Sequence, residues 1–250
     1  MLVAILFDFD GTIAETERLG HRVAYNAAFA QLGLDWNWDA ALYGELLAVG
    51  GGKERIAQYL ERYRPSEKHP DRTALIALVH ERKQQIFTPL AGSIGLRPGV
   101  RRLVREARYA GVRLAIASTA APAGIDAVVA RDGDLRDAFE VVAAGDSVPN
   151  KKPAPDIYRA AMRRLGVAPE QCVAIEDAAI GVRAARAAGL VTLVTVSDYT
   201  RDEDFTGAAA VLSDLGEPGA PAATLAGPAP ASGFADLAYL RELLDADPAA

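Results

Sequence analysis

Six short apolar runs recur along the chain, and segments with helical spacing separate the first five of them. They span Leu2–Asp8, Val112–Ser118, Glu140–Ala144, Cys172–Glu176, Leu190–Val196 and Ala209–Leu212. Runs of this length with little polar alternation read as strands buried on both faces. Amphipathic stretches at Val100–Ala110, Ala123–Arg131, Pro155–Leu165 and Ala178–Ala188 supply the helices between them. Gly111, Gly166 and Gly189 fall just past three of these, where helices end in the left-handed conformation. The pattern predicts an α/β fold built on a doubly wound parallel sheet.

One stretch breaks the alternation. From Ala14 to about Pro89 no strand pattern occurs, and the spacing predicts helices over Glu17–Leu32, Ala40–Leu47, Glu54–Arg64 and Asp71–Phe87. A helical block this long is too large for a simple crossover. It reads as a helical cap over residues 14–90, inserted into an α/β core made of 1–13 and 91–250. A cap at that point hangs over the end of the first strand and can close on a substrate. Gly216–Gly233, rich in Pro, Gly and Ala, reads as an irregular surface connection. Phe234–Leu244 reads as a final helix, packed back through Leu237, Leu240 and Leu244.

Where the first strand ends, the chain carries Asp8-Phe9-Asp10-Gly11-Thr12. Two carboxylates and a turn glycine are costly at the end of a core strand unless something cationic sits with them. A divalent metal beside a nucleophilic carboxylate suggests phosphate chemistry. The competing calcium-loop reading needs a closing Glu at the twelfth position, and counting from Asp8 that residue is Leu19. Three further clusters lie at strand ends or just beyond: Ser118-Thr119, Asn150-Lys151-Lys152-Pro153-Ala154-Pro155-Asp156, and Glu176-Asp177. Singly, each has a bland account as a helix cap, a surface lysine pair or an N-terminal acid pair. Together they place acids, a hydroxyl, a lysine pinned between prolines and acids again on one sheet edge. Open α/β sheets hold their ligands there, and phosphoryl transfer needs those parts.

The bulk numbers allow this. A net charge of −6 over 250 residues disfavours nucleic-acid binding without disfavouring a small anionic substrate. The single cysteine, Cys172, excludes an intrachain disulfide and reads as a buried small hydrophobe. No apolar run approaches membrane-spanning length, and the acid-bearing N-terminus does not read as a signal peptide. The expectation is a monomer in the cytoplasm, or in the stroma of a plastid-bearing organism, with neither nucleic acid nor membrane as partner.

The motif order resembles the haloacid dehalogenase superfamily of phosphatases and phosphomutases, from Leu2 to about Val211. That resemblance implies a Rossmann-like core with a small helical cap. It implies Asp8 as a nucleophile that forms an aspartyl-phosphate, and Asp10 as the acid and then the base. Ser118 and Lys152 would hold the transferring phosphoryl group. Mg2+ would be bound by Asp8, the Asp10 carbonyl and Asp177, with Glu176 close by.

Within the cap, Gly20-His21-Arg22 through Asn26, Trp38-Asp39, Leu42 to Leu47, Gly50 to Arg55 and His80 to Lys83 are similar to the CbbY-type phosphatases. Enzymes of that type hydrolyse xylulose 1,5-bisphosphate to xylulose 5-phosphate. The resemblance implies a phosphorylated sugar as ligand, contacted by Glu17, His21, Tyr43, Gly51, Gly52, Lys53, Arg55, His80, Lys83 and Thr119. A bisphosphate needs a second anion site, which Lys53, Arg55 and Lys83 could supply. A phosphoglycolate phosphatase, a β-phosphoglucomutase-like phosphotransferase and a non-catalytic phosphate-binding module are the alternatives. Two departures stand out: Ala120-Ala121-Pro122 after Ser118-Thr119, and Ala178 after Asp177, where relatives carry polar residues.

Overall fold

The computed structural model of the chain describes residues 1–66 and 69–246. All six predicted strands form: β1 (Ala4–Phe7), β2 (Arg113–Ser118), β3 (Val141–Ala144), β4 (Cys172–Glu176), β5 (Val191–Thr195) and β6 (Ala210–Leu212). They pair in parallel in the order β3-β2-β1-β4-β5-β6. Because side chains alternate across a strand, β1 feeds two cores. Ile5 and Phe7 join Leu103, Ile125 and Leu240 on one face, while Ala4 and Leu6 join Tyr158, Ala161 and Ala184 on the other.

Among the described residues, nine of the ten α-helices follow the predicted segments. α1 (Arg22–Gln31), α2 (Ala40–Leu46), α3 (Gly52–Tyr63) and α4 (Arg72–Ala91) precede β2, and α5 (Val100–Tyr109) leads into it. α6 (Pro122–Val129) and a one-turn α7 (Gly133–Arg136) lie between β2 and β3. α8 (Asp156–Leu165), α9 (Ala179–Ala187) and α10 (Leu237–Ala246) complete the layers. Gly111, Gly166 and Gly189 all take positive φ, as predicted for helix ends.

Four local readings need correction. The stretch Gly216–Gly233 is not wholly irregular: it holds β7 (Thr224–Ala226), antiparallel to β6 with a register shift at Val211/Leu212. An exposed edge strand this short, between prolines and glycines, leaves no alternation to read. α7 was not foreseen; the Asp132 carboxylate starts it by accepting the Asp134 N–H at 3.0 Å. α10 begins at Leu237 rather than Phe234, because Asp236 accepts the Tyr239 N–H at 2.8 Å. The segment predicted as one helix over 17–32 opens with a π-helical turn, Glu17–His21, before α1.

The helices between β1 and β2 enclose an apolar cluster of their own, rich in aromatic rings: Tyr25, Phe29, Trp36, Trp38, Tyr43 and Tyr59. Tyr25 and Trp38 lie 4.5 Å apart centre to centre. Asn26 fixes the Trp38 backbone in both directions, donating to its carbonyl at 2.9 Å and accepting its N–H at 2.8 Å. The chain enters and leaves this block side by side, with Ala14 bridged to Leu96 and the Arg97 N–H on the Ile13 carbonyl at 2.9 Å. The Arg97 guanidinium donates to the carbonyls of Gly11, Thr195, Val196 and Ser213, so the crossing is fastened to the ends of β5 and β6. Cys172 is buried, its thiol donating to the Ala168 carbonyl at 3.2 Å. Among the described residues no helix is long and apolar enough to cross a membrane.

Candidate active site

The chain runs from β1 to β2 and β3 on one side, then returns past β1 to β4, β5 and β6 on the other. Such a reversal opens a crevice at the carboxyl edge of the strands flanking it. Phe7 pairs with Ile116 and Ile175, so Asp8 comes level with Glu176 one residue on, and the Asp8 N–H donates to the Ile175 carbonyl at 2.9 Å. Asp8, Ser118, Lys152, Glu176 and Asp177 line one cleft there, and all five are buried.

Lys152 enters from the loop between β3 and α8, where Pro153 and Pro155 restrict the backbone. Its ammonium donates to Asp8 Oδ1 at 2.7 Å and to Glu176 Oε1 at 2.6 Å. The Tyr158 hydroxyl donates to the same Glu176 oxygen, and its ring lies 5.0 Å from Lys152 Nζ. Burial works against the Lys152 charge, but the carboxylates of Asp8 and Glu176 outweigh it and hold the ammonium above its ordinary range. Burial pushes Asp8 up to about 7 against the pull of Lys152. Asp177 rises well above the usual carboxylate range by burial and by the charges of Asp8 and Glu176.

Asp8, Glu176 and Asp177 each offer an oxygen within 4.8 Å of the others. Three buried acids facing one lysine leave negative charge uncompensated, and an all-oxygen donor set suits a hard divalent cation. Gly11 serves this arrangement twice. Its φ of +79° belongs to the left-handed region, and a Cβ there would lie 2.1 Å from Asp177 Oδ2. Ser118 lines the cleft and its Oγ accepts the Ala120 N–H at 3.2 Å, but it does not cap α6, whose N-cap residue is Ala121.

The two acids of the first motif part rather than crowd. Asp10 Oδ1 accepts from the Thr16 hydroxyl and lies 2.9 Å from His21 Nε2, away from the Asp8 cluster. Lys83 Nζ sits 2.6 Å from His21 Nδ1, and the imidazole stacks on Phe87 at 3.7 Å. An ammonium can only donate, so a charged Lys83 leaves the His21 proton on Nε2, facing Asp10. Burial opposes ionisation of Asp10, and His21 with Thr16 outweighs it, holding the carboxyl down at about 2. Burial lowers Lys83 to about 7, and burial with the neighbouring Lys83 lowers His80 to about 4.

Nine of the ten residues expected to contact substrate line a second compartment: Glu17, His21, Gly51, Gly52, Lys53, Arg55, His80, Lys83 and Thr119. It meets the first cleft along Asp10, Glu17, Arg55 and Thr119. Tyr43 lies behind this wall. Its hydroxyl donates to Glu17 and accepts from Arg55 at 3.0 Å, so it holds those two side chains in place. Sequence reasoning missed Thr16, Tyr158 and Arg97. Tyr158 follows the apolar spacing of α8, and nothing local marks its hydroxyl as an anchor for Glu176. Arg97 carries no motif; its four carbonyl acceptors come from distant segments.

Comparison with known proteins matches this frame. A family described as haloacid dehalogenase-like hydrolase matches residues 2–189. The CbbY protein of Cereibacter sphaeroides is 48% identical over 223 residues, covering 88% of this chain and 95% of that protein. Plasmid-borne CbbY of Cupriavidus necator is 44% identical over 243 residues, covering 95% of each. A crystal structure of a Rhodobacter sphaeroides CbbY variant in complex with xylulose-(1,5)bisphosphate superposes with a TM-score of 0.80 at 46% identity, over 88% of this chain and 97% of that one. The chain belongs to the haloacid dehalogenase-like hydrolase family and, within it, to the CbbY-like phosphatases.

Proposed function

We propose that this phosphatase is a magnesium-dependent phosphomonoesterase acting on xylulose 1,5-bisphosphate and releasing xylulose 5-phosphate and inorganic phosphate. The observation that carries the reading is the junction of two unlike compartments at Asp10. One holds buried acids around a fixed lysine, and the other is lined by cations and glycine backbone. In this reading residues 14–90 are the cap and the remainder is the core. The xylulose bisphosphate bound by the Rhodobacter sphaeroides relative supports the substrate.

Asp8 Oδ attacks phosphorus and the ester P–O bond breaks, giving an aspartyl-phosphate. Asp10, ionised by His21 and Thr16 in the free enzyme, takes up a proton as the phosphate dianion enters beside it, gives that proton to the departing alkoxide and then takes one from the water that attacks the same phosphorus. Phosphate leaves and the Asp8 carboxylate is restored. Lys152 and Ser118 sit where the phosphoryl oxygens would bear charge. Asp8, Asp177, the Asp10 carbonyl and Glu176 would hold Mg2+, which supplies charge neutralisation for those oxygens. His21 and Thr16 fix the position of the Asp10 carboxylate.

Initial rates of phosphate release on a panel test the substrate: xylulose 1,5-bisphosphate, fructose 1-phosphate, phosphoglycolate and β-glucose 1-phosphate, each with magnesium and with a chelator. The expected result is the highest kcat/KM on xylulose 1,5-bisphosphate, lost under chelation and restored by Mg2+. A higher kcat/KM on phosphoglycolate, or interconversion of glucose phosphates without steady phosphate release, would contradict it.

A further inference from the structure

The first turn of α9 sits against the acids of the cleft, and its own sequence does little to hold it there. Ala178 occupies the N-cap position with extended backbone, at φ −123° and ψ 147°, and its methyl side chain accepts no hydrogen bond. The first N–H groups of a helix have no partner in its own ladder, so an acceptor must come from elsewhere. Glu203, from the loop after β5, supplies one: its Oε2 accepts the Ala179 N–H at 2.6 Å. That loop is built of tight turns. The Ser197 N–H donates to Thr200 Oγ1 at 2.9 Å and the Glu203 N–H to the Thr200 carbonyl at 3.0 Å, while Thr200 lines the Asp8 cleft.

The side chain that rests on this turn is Glu176. A Cβ on Gly181 would lie 2.0 Å from Glu176 Oε2, so the carboxylate packs on the backbone of the turn with no room between them. Its other oxygen accepts from the Lys152 ammonium at 2.6 Å and from the Tyr158 hydroxyl. Lys152 in turn lies 2.7 Å from Asp8 Oδ1. The links run in series from Glu203 to the turn, to Glu176, to Lys152 and to Asp8. Buried charges tolerate little drift, because a partner that moves away leaves the other uncompensated.

We propose that Glu203 is a positioning residue of the active site: by capping α9 where Ala178 cannot, it keeps Glu176 aligned on Lys152 and, through Lys152, keeps Asp8 aligned. Glu203 lines neither compartment and acts through the backbone of one helical turn. This rests on the preceding reading in taking Asp8, Lys152 and Glu176 as the working groups.

The test compares the wild type with Glu203→Ala, with Glu203→Gln, and with Glu203→Ala combined with Ala178→Ser, whose new hydroxyl can cap the same turn from the N-cap position. Three quantities are read: deuterium uptake of the peptide spanning residues 177–183 in the metal-free protein, the Kd for Mg2+ by titration calorimetry, and kcat on p-nitrophenyl phosphate at saturating Mg2+. Glu203→Ala should speed exchange in that peptide about fivefold, the equilibrium cost of one lost cap, and weaken Mg2+ by a similar factor. Its kcat should fall about tenfold, since a small misplacement of a positioned group costs rate steeply. Adding Ala178→Ser should return all three toward wild type. Glu203→Gln keeps an acceptor and drops the charge, so it should stay nearer to wild type than Glu203→Ala.

Unchanged exchange in Glu203→Ala would overturn the positioning role. Faster exchange with Mg2+ affinity and kcat both unmoved would overturn it as well, because the cap would then stabilise the helix alone. So would equal losses in Glu203→Gln and Glu203→Ala that Ala178→Ser does not repair, which would trace to the lost charge. If the wild type takes up no Mg2+ while exchange and kcat still shift and recover together, the proposed metal site falls and the positioning role stands.

Discussion

The cleft around Asp8 and the compartment around Lys53 lie side by side and are built on opposite plans. In the first, the charged groups at the sheet edge are buried and paired with one another, Lys152 with Asp8 and Glu176, and the Tyr158 hydroxyl of α8 also donates to Glu176. In the second, Arg55 and Glu17 are buried and paired, while Lys53 and Lys151 share the exposed carboxylate of Asp146. Buried pairs fix geometry because breaking them is expensive, and exposed pairs exchange partners freely. In the function proposed above, the first region carries the chemistry and the second the choice of substrate. Asp10 belongs to both, with its backbone next to the Asp8 turn and its carboxylate held by residues of the helical block.

If the division is right, substitutions in the cleft act on turnover, and substitutions around Lys53 act on discrimination between substrates. The largest effect is expected for Asp8→Asn, which should lower kcat by more than about four orders of magnitude on every phosphate ester. Measurable turnover within tenfold of wild type would break the comparison. Asp10→Asn should lower kcat by roughly two to four orders of magnitude while magnesium and phosphate still bind, as titration calorimetry would show. Loss of phosphate binding in that variant would place Asp10 among the binding groups instead.

The smallest effect is a slope in stability with pH, and it arises in the paired part of the second region. Burial lowers Lys83 from 10.5 to about 7 in the folded chain. Between these values the unfolded chain carries the additional proton, so this residue makes stability rise with pH across that window. The wild type should therefore gain unfolding free energy relative to Lys83→Met as pH rises from 7 to 10, read from urea midpoints at each pH. A flat or falling difference would mean that Lys83 keeps an ordinary ammonium.

How far the sequence foretells the two regions also differs. The cleft was legible because strand periodicity locates the sheet edge, and Asp8, Ser118, Lys152, Glu176 and Asp177 sit at strand ends or in a loop pinned by prolines. The compartment was legible only as a set of residues. That Arg55 is tied to Tyr43 and Glu17 could not be read, because the pairing joins a helix to segments many residues away and no local spacing encodes it. The same holds for the departure at Ala178. That residue cannot cap α9 with its side chain, and Glu203, from beyond β5, accepts the Ala179 N–H at 2.6 Å instead. The edge strand β7 escaped for the opposite reason, since its local signal is drowned by proline and glycine.

The most direct test of the account is chemical trapping of the phosphorylated enzyme. Magnesium-loaded enzyme is mixed with xylulose 1,5-bisphosphate, quenched in acid within one turnover, and reduced with borohydride, which converts an aspartyl-phosphate to homoserine. Peptide mass spectrometry should find homoserine at position 8 alone, and none in Asp8→Asn treated in the same way. Homoserine at Asp10 or Asp177, or wild-type turnover with no trapped residue at all, would contradict the assignment of the nucleophile to Asp8.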